Sequence, residues 1–155
     1  MGWNEIFTGI LPLLGVFVGG IITYKTQTNT VEKQLEREIE KEKELKNIER
    51  LKVYSEILKL EGENLMIERI GGSQVEFNLG IYMEKIRPVL YSKFYLLDKN
   101  VAENVRKIDA VYLQLVFDDF EDDEGIHNES FIRLFNKIIS DIQNHINDSN
   151  LILNK

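Results

Sequence analysis

Apolar positions fall along this chain in three regimes. From Ile6 to Tyr24 they are nearly continuous: IFTGILPLLGVFVGGIITY holds nineteen positions without one charged side chain. From Val31 to Ile48 they thin to a narrow stripe, Val31, Leu35, Ile39, Leu45 and Ile48, set among acids and bases. Beyond Leu51 they recur every three or four residues, the period of one face of an α-helix.

The first regime predicts a transmembrane helix. Nineteen residues rise roughly 28 Å as a helix, close to the ~30 Å hydrocarbon thickness of a bilayer. Trp3 and Tyr24 flank the run where amphipathic rings favour the headgroup level, with Lys25 as a further interfacial anchor. Pro12 and the glycines would weaken a helix in water, but membrane helices tolerate both. No base precedes the run, whereas Lys25, Lys33, Arg37, Lys41 and Lys43 follow it. The positive-inside bias therefore places the N-terminus outside and the remainder in the cytoplasm. A cleaved secretory signal is the competing reading, and the missing N-terminal base opposes it. Gly15 and Gly19 match G-x-x-x-G, a flat stripe through which membrane helices self-associate.

The second regime predicts a polar joint and then a charged spacer helix. Asn29 and Glu32 have capping-box spacing, so either a new helix starts here or the membrane helix runs straight through; both give a helix from near Thr30. Acid–base pairs such as Glu42 and Lys46, four residues apart, support an exposed helix. Charges interrupt any strict heptad, so a parallel coiled coil is the weaker reading for this segment. A homodimer or higher oligomer would use the membrane helix together with residues 31–58.

The third regime predicts four amphipathic helices. Leu45, Leu51, Tyr54, Ile57, Leu58, Leu65 and Ile70 continue the spacer helix into a core, and Gly71-Gly72 ends it. Ser73 with Glu76 reads as a capping box for a second helix carrying Leu79, Tyr82 or Met83, Ile86, Leu90, Phe94 and Leu97, kinked near Pro88. Asn100 and Glu103 cap a third helix, with Val101, Val105, Ile108, Tyr112 and Leu115 buried. Asn128 caps a fourth, with Phe131, Phe135, Ile138, Ile142 and Ile146 buried. No sustained period-two alternation appears, so no sheet is expected. The predicted fold is all-α: a single N-terminal transmembrane helix as membrane anchor (1–25), a joint and spacer (26–44), and an antiparallel helical bundle (45–155).

Composition narrows the function. The net charge of -7 and the lack of an uninterrupted basic cluster argue against nucleic acid as a partner. Cysteine is absent, which excludes disulfides and thiolate chemistry. The Lys, Ile, Asn and Glu richness resembles that of low-GC bacteria and their phages. The densest charge run is Asp118, Asp119, Glu121, Asp122, Asp123 and Glu124. It fails the calcium-loop pattern, because Gly125 falls one place late and Ser130 stands where glutamate is required. It reads instead as an acidic patch for a protein partner. His127 and His145 lack metal-ligand spacing, and no nucleophile or phosphate-loop motif occurs. No catalytic residue, metal or cofactor is expected. Tyr91, Phe94, Tyr95, Phe77 and Tyr82 read as core rather than as a pocket lining.

Two functions fit this reading. One is a non-enzymatic interaction module, anchored in the bilayer, that binds an unknown protein partner at the inner membrane surface. The other is a small membrane-active effector of phage or toxin type, whose transmembrane helix oligomerises and perturbs the bilayer.

Overall fold

The computed structural model describes the backbone of residues 3–72, 74–117 and 125–153, with side chains described from 30 to 149 outside the gaps and at 20, 23–25 and 27. The protein is mostly helical. Its elements run in the order α1 (Trp3–Glu63), β1 (Ile67–Gly71), β2 (Gln74–Phe77), α2 (Leu79–Ile81), a π-turn (Tyr82–Ile86), α3 (Arg87–Ser92), a 3₁₀ turn (Phe94–Leu96), α4 (Lys99–Phe117) and α5 (Ile126–Leu153). Two compact units divide the chain, Met1–Leu45 and Lys46–Lys155.

In the first unit the described side chains of α1 are exposed, Val31, Leu35, Ile39 and Leu45 among them. Among the described residues no helix is long and apolar enough to cross a membrane. The Ile6–Tyr24 run lies on α1, and all of its side chains but those of Gly20, Thr23 and Tyr24 fall outside the described residues.

The second unit holds the core. From α1 it takes Val53, Tyr54 and Ile57; from the π-turn and α3, Tyr82, Ile86 and Leu90; from α4, Val101, Val105, Ile108 and Leu115. α5 contributes Phe131, Leu134, Phe135, Ile138 and Ile142. The apolar stripes of α4 and α5 are those that the 3.6-residue period predicts, with Tyr112 and Ile146 half-buried at their margins. Burying one such side chain is worth about 1.5–3 kcal/mol. Leu45, Leu65 and Ile70, expected at the start of the core, are exposed instead.

The main correction is a β-hairpin. β1 and β2 pair antiparallel, with Ile67 opposite Phe77, Glu68 opposite Glu76 and Arg69 opposite Val75. Gly71 (φ 139°) and Gly72 (φ 57°) make the turn, conformations that L side chains rarely adopt. The two glycines therefore reverse a strand rather than end a helix, and α1 already stops at Glu63. Glu76 stands in β2, not in a capping box. The cap of the next helix is Asn78, whose side-chain oxygen accepts from the Ile81 amide at 3.1 Å. Phe77 plugs the hairpin into the core, its ring 5.7 Å from that of Phe131, 5.4 Å from Phe135 and 5.8 Å from Tyr82.

Pro88 also acts differently from a simple kink. It sits in the first turn of α3, where a missing N–H costs least, and the wider π-turn precedes it, with the Arg87 amide donating to the Tyr82 carbonyl. Asn128, expected to cap the last helix, lies inside it, because α5 begins at Ile126. Its side chain extends β2: Oδ1 accepts from the Phe77 amide at 2.8 Å, and Nδ2 donates to the Val75 carbonyl at 2.7 Å. One amide side chain thus occupies the outer edge of a strand that would otherwise offer unpaired backbone groups.

Candidate functional site

Two polar clusters stand out in the second unit. The first centres on Asp98, at the entrance to α4, where a carboxylate is favoured by the helix dipole. Arg50 Nη1 donates to Asp98 Oδ1 at 2.9 Å, and Arg50 Nε donates to the Leu96 carbonyl. Asp98 Oδ2 accepts from the Tyr54 hydroxyl at 3.1 Å and faces His145 Nδ1 at 2.8 Å. The Asp98 amide donates to the Tyr54 oxygen at 2.9 Å. On the far side of the imidazole, His145 Nε2 lies 3.2 Å from Asn47 Oδ1. The Tyr54 and His145 rings meet edge to face at 5.4 Å. Burial pushes the Tyr54 phenol pKa far up; the Asp98 amide pulls it back, and the Asp98 charge pushes it further up.

An Asp–His pair can form the orienting half of a hydrolytic triad, but here the second ring nitrogen meets an amide. The hydroxyl nearest the pair, that of Tyr54, is engaged by Asp98 on both its donor and acceptor sides. The arrangement joins three helices, α1, α4 and α5, and its chemistry is that of a clamp.

The second cluster lies between α3 and α4. Arg87 grips Asp109 with two bonds, Nε to Oδ1 at 2.9 Å and Nη2 to Oδ2 at 3.2 Å. The Tyr91 hydroxyl also donates to Asp109. The guanidinium of Arg87 lies 4.6 Å from the Tyr91 ring centroid, Tyr91 stacks on Phe94 at 5.1 Å and 13°, and Arg106 covers Phe94 at 5.2 Å. Cation, ring, ring and cation thus follow in sequence. The hydrogen bond to Asp109 holds the Arg87 pKa up; burial, with the Asp109 bond adding to it, raises that of Tyr91. Burial likewise raises Tyr82, whose hydroxyl is enclosed without a hydrogen-bond partner.

The cavities are shallow openings. One of about 290 Å³ is lined by Glu68, Glu76, Phe77, Asn78, Leu79 and Gly80. Another, of about 400 Å³, lies beside Leu65, Met66 and Phe135. Glu68 and Glu76 face each other across the hairpin, a like-charge pairing that costs stability, and Asn78 Nδ2 donates to Glu68 at 3.0 Å. Among the described residues no group of three or more acids and histidines converges on a metal position.

The residues singled out in the sequence are distributed as follows. Trp3, Gly15 and Gly19 lie on α1, but their side chains fall outside the described residues. Tyr24 and Lys25 are exposed. The acidic patch Asp118, Asp119, Glu121, Asp122, Asp123 and Glu124 lies outside the described residues, directly after α4, whose end exposes Leu113, Val116 and Phe117, the last at 84%. In the 31–58 segment expected to pair with a second copy, Val53, Tyr54 and Ile57 are built into the chain's own core, while Val31, Leu35, Ile39, Leu45 and Ile48 remain exposed. Of the five aromatics expected in the core, Phe77 and Tyr82 are buried and Phe94 half-buried, but Tyr91 and Tyr95 are exposed.

Sequence reasoning missed the Asp98 clamp, because its members stand more than forty residues apart. One signal was available: His145 shares a helix face with Ile142, Ile146 and Ser149, and a polar ring on an apolar stripe needs partners.

No protein-family model, curated protein or solved structure matches the chain.

Proposed function

We propose that this chain is a membrane-tethered, non-enzymatic docking module. In this reading Ile6–Tyr24 spans the bilayer with the N-terminus outside, and the helical unit that follows binds a protein partner at the cytoplasmic face. One observation carries the tether: nineteen uncharged positions, with no base before them and five bases within about twenty residues after them. A charged interruption would cost about 2.5–3.5 kcal/mol at the helix centre, and the run contains none.

The docking surface in this reading is the end of α4. Leu113, Val116 and Phe117 offer an apolar centre, and six acids follow within the next seven positions. An apolar anchor followed in sequence by a run of acids suits a basic partner surface with an apolar hollow. Tethering raises the local concentration of that surface without adding a contact.

The experiment places a photo-crosslinking residue at Phe117 of the full chain in cells and extracts the membranes with alkaline carbonate. The proposal expects a chain that resists extraction and a discrete adduct that Asp122→Lys with Asp123→Lys abolishes. Extraction into the supernatant refutes the tether; a retained chain without an adduct refutes the docking surface. Depolarisation of the cells that Gly15→Leu with Gly19→Leu prevents would establish the effector function instead.

A further inference from the structure

The two edges of the hairpin are not alike. Antiparallel strands turn alternate backbone groups toward and away from each other. In β2 the Val75 carbonyl and the Phe77 amide point away from β1, and Asn128 of α5 holds both. Val75 stands opposite Arg69 and Phe77 opposite Ile67, so the amides and carbonyls of Ile67 and Arg69 point away from β2. The Met66 carbonyl, one residue earlier, points inward and accepts from the Asn78 amide at 2.8 Å. None of the described residues bonds the outward groups of Ile67 and Arg69. Proline and lysine, which commonly blunt an edge, do not occur in Ile67–Gly71, and the register irregularity comes only after Arg69.

The surroundings of this open edge are specific. Ile67 shares the core-facing side with Phe77 and also lines the opening of about 400 Å³ beside Leu65, Met66 and Phe135. Glu68 lies on the other face, in one row with Glu76. A strand laid along β1 sets one side chain beside Ile67 at the mouth of the opening. The next side chain falls beside the two carboxylates.

We propose that the outer edge of β1 docks an extended segment of a partner protein, antiparallel, with an apolar residue beside Ile67 and a lysine or arginine beside Glu68. Main-chain bonds to Ile67 and Arg69 supply affinity, and the alternate side chains supply the choice of sequence. The base sets an attraction against the like-charge pair that the hairpin keeps at Glu68 and Glu76. A second copy of this chain fits poorly. The symmetric register that pairs Ile67 with Arg69 sets Glu68 against Glu68 and brings the glutamates of both hairpins into one row. This site lies wholly within the second unit, so it stands apart from the tether and from the end of α4.

The test uses the full chain in non-ionic detergent micelles. The probe is a fluorescent peptide of about eight residues, enough for one strand, alternating valine and lysine. The proposal expects a rise in anisotropy and slowed exchange at the Ile67 and Arg69 amides, with the Glu68 amide unchanged. Methylating the valine amides, which face β1, abolishes binding; methylating the lysine amides, which face away, leaves it. Glu68→Lys weakens binding on the order of tenfold and strengthens that of a peptide with glutamate in place of lysine. This substitution turns the pair with Glu76 into one of opposite charge, so the hairpin is kept. Equal or reversed effects of the two methylations overturn the proposal, as does binding without slowed exchange at Ile67 and Arg69, or no binding at about 1 mM peptide. Exchange at these amides that slows with chain concentration in the absence of peptide assigns the edge to a second copy instead.

Discussion

Replacing Asp98 by alanine tests the clamp most directly. The carboxylate accepts from Arg50 at 2.9 Å and Tyr54 at 3.1 Å and meets His145 at 2.8 Å. Bonds to a charged group are worth ~1.5–3 kcal/mol when dry. Asp98 is 34% exposed and Arg50 26%, so solvent screens the pair, and about 1 kcal/mol per contact is the better figure. With the loss of a favourable charge at the start of α4, Asp98→Ala should cost about 3 kcal/mol. Arg50→Ala should cost about 1.5 kcal/mol, because its bond to the Leu96 carbonyl is also lost. The double variant should cost about 1 kcal/mol less than the sum, since the shared bond is counted twice. Urea unfolding of the full chain in mild detergent, followed by near-ultraviolet circular dichroism, gives all three values. Strict additivity would refute the clamp: the two side chains would then be neighbours without a shared interaction.

Three further outcomes follow from the packing. Phe77→Ala removes the ring that meets three others in the core, and should cost about 3–5 kcal/mol and release the hairpin, seen as fast amide exchange at Glu68 and Glu76, which face each other across it. Asn128→Ala strips two bonds from the edge of β2, and should cost about 1–2 kcal/mol with selective loss of protection at the Phe77 amide. Above about pH 10 the chain should lose stability, because the Tyr54 and Tyr82 phenols hold their protons more tightly folded than unfolded. The raised values contribute stability that is intact below the unfolded pKa and lost as the pH climbs through the folded ones; absorbance at 295 nm should show Tyr54 and Tyr82 resisting ionisation until unfolding, with Tyr91 delayed by a smaller shift.

Where helices bury one face, the sequence reports them well. Val101, Val105 and Ile108 on α4, and Phe131, Phe135, Ile138 and Ile142 on α5, lie in the core at the spacing their pattern implies. The hairpin escapes such reading because its strands are mostly exposed on both faces. Only Phe77 is buried and Ile67 half-buried, so no alternation of apolar and polar residues marks it. The Gly71-Gly72 pair is an equally good signal for a helix stop and for a tight reversal. Tyr91 and Tyr95 continue a helical period on paper, but Lys93 (φ −134°, ψ 35°) breaks the helix between them, and the 3₁₀ turn that follows rotates the later ring outward. The Asp98 clamp was legible only at His145, a polar ring on an apolar stripe; its partners are brought to it by tertiary packing. The candidate docking surface was legible only as charge: the acidic run is plain in the sequence, whereas the exposed apolar end of α4 beside it emerges from the fold.

A lipid-spanning N-terminus with the helical unit inside the cell is the claim on which the proposed function depends. Single cysteines at Asn4 and at Asp148, treated on whole cells with a membrane-impermeant maleimide, measure this in one experiment. Labelling is expected at Asn4→Cys in intact cells and at Asp148→Cys only after lysis. Labelling of Asp148→Cys on intact cells, or protection of both sites together with full release of the chain into the soluble fraction, would contradict it.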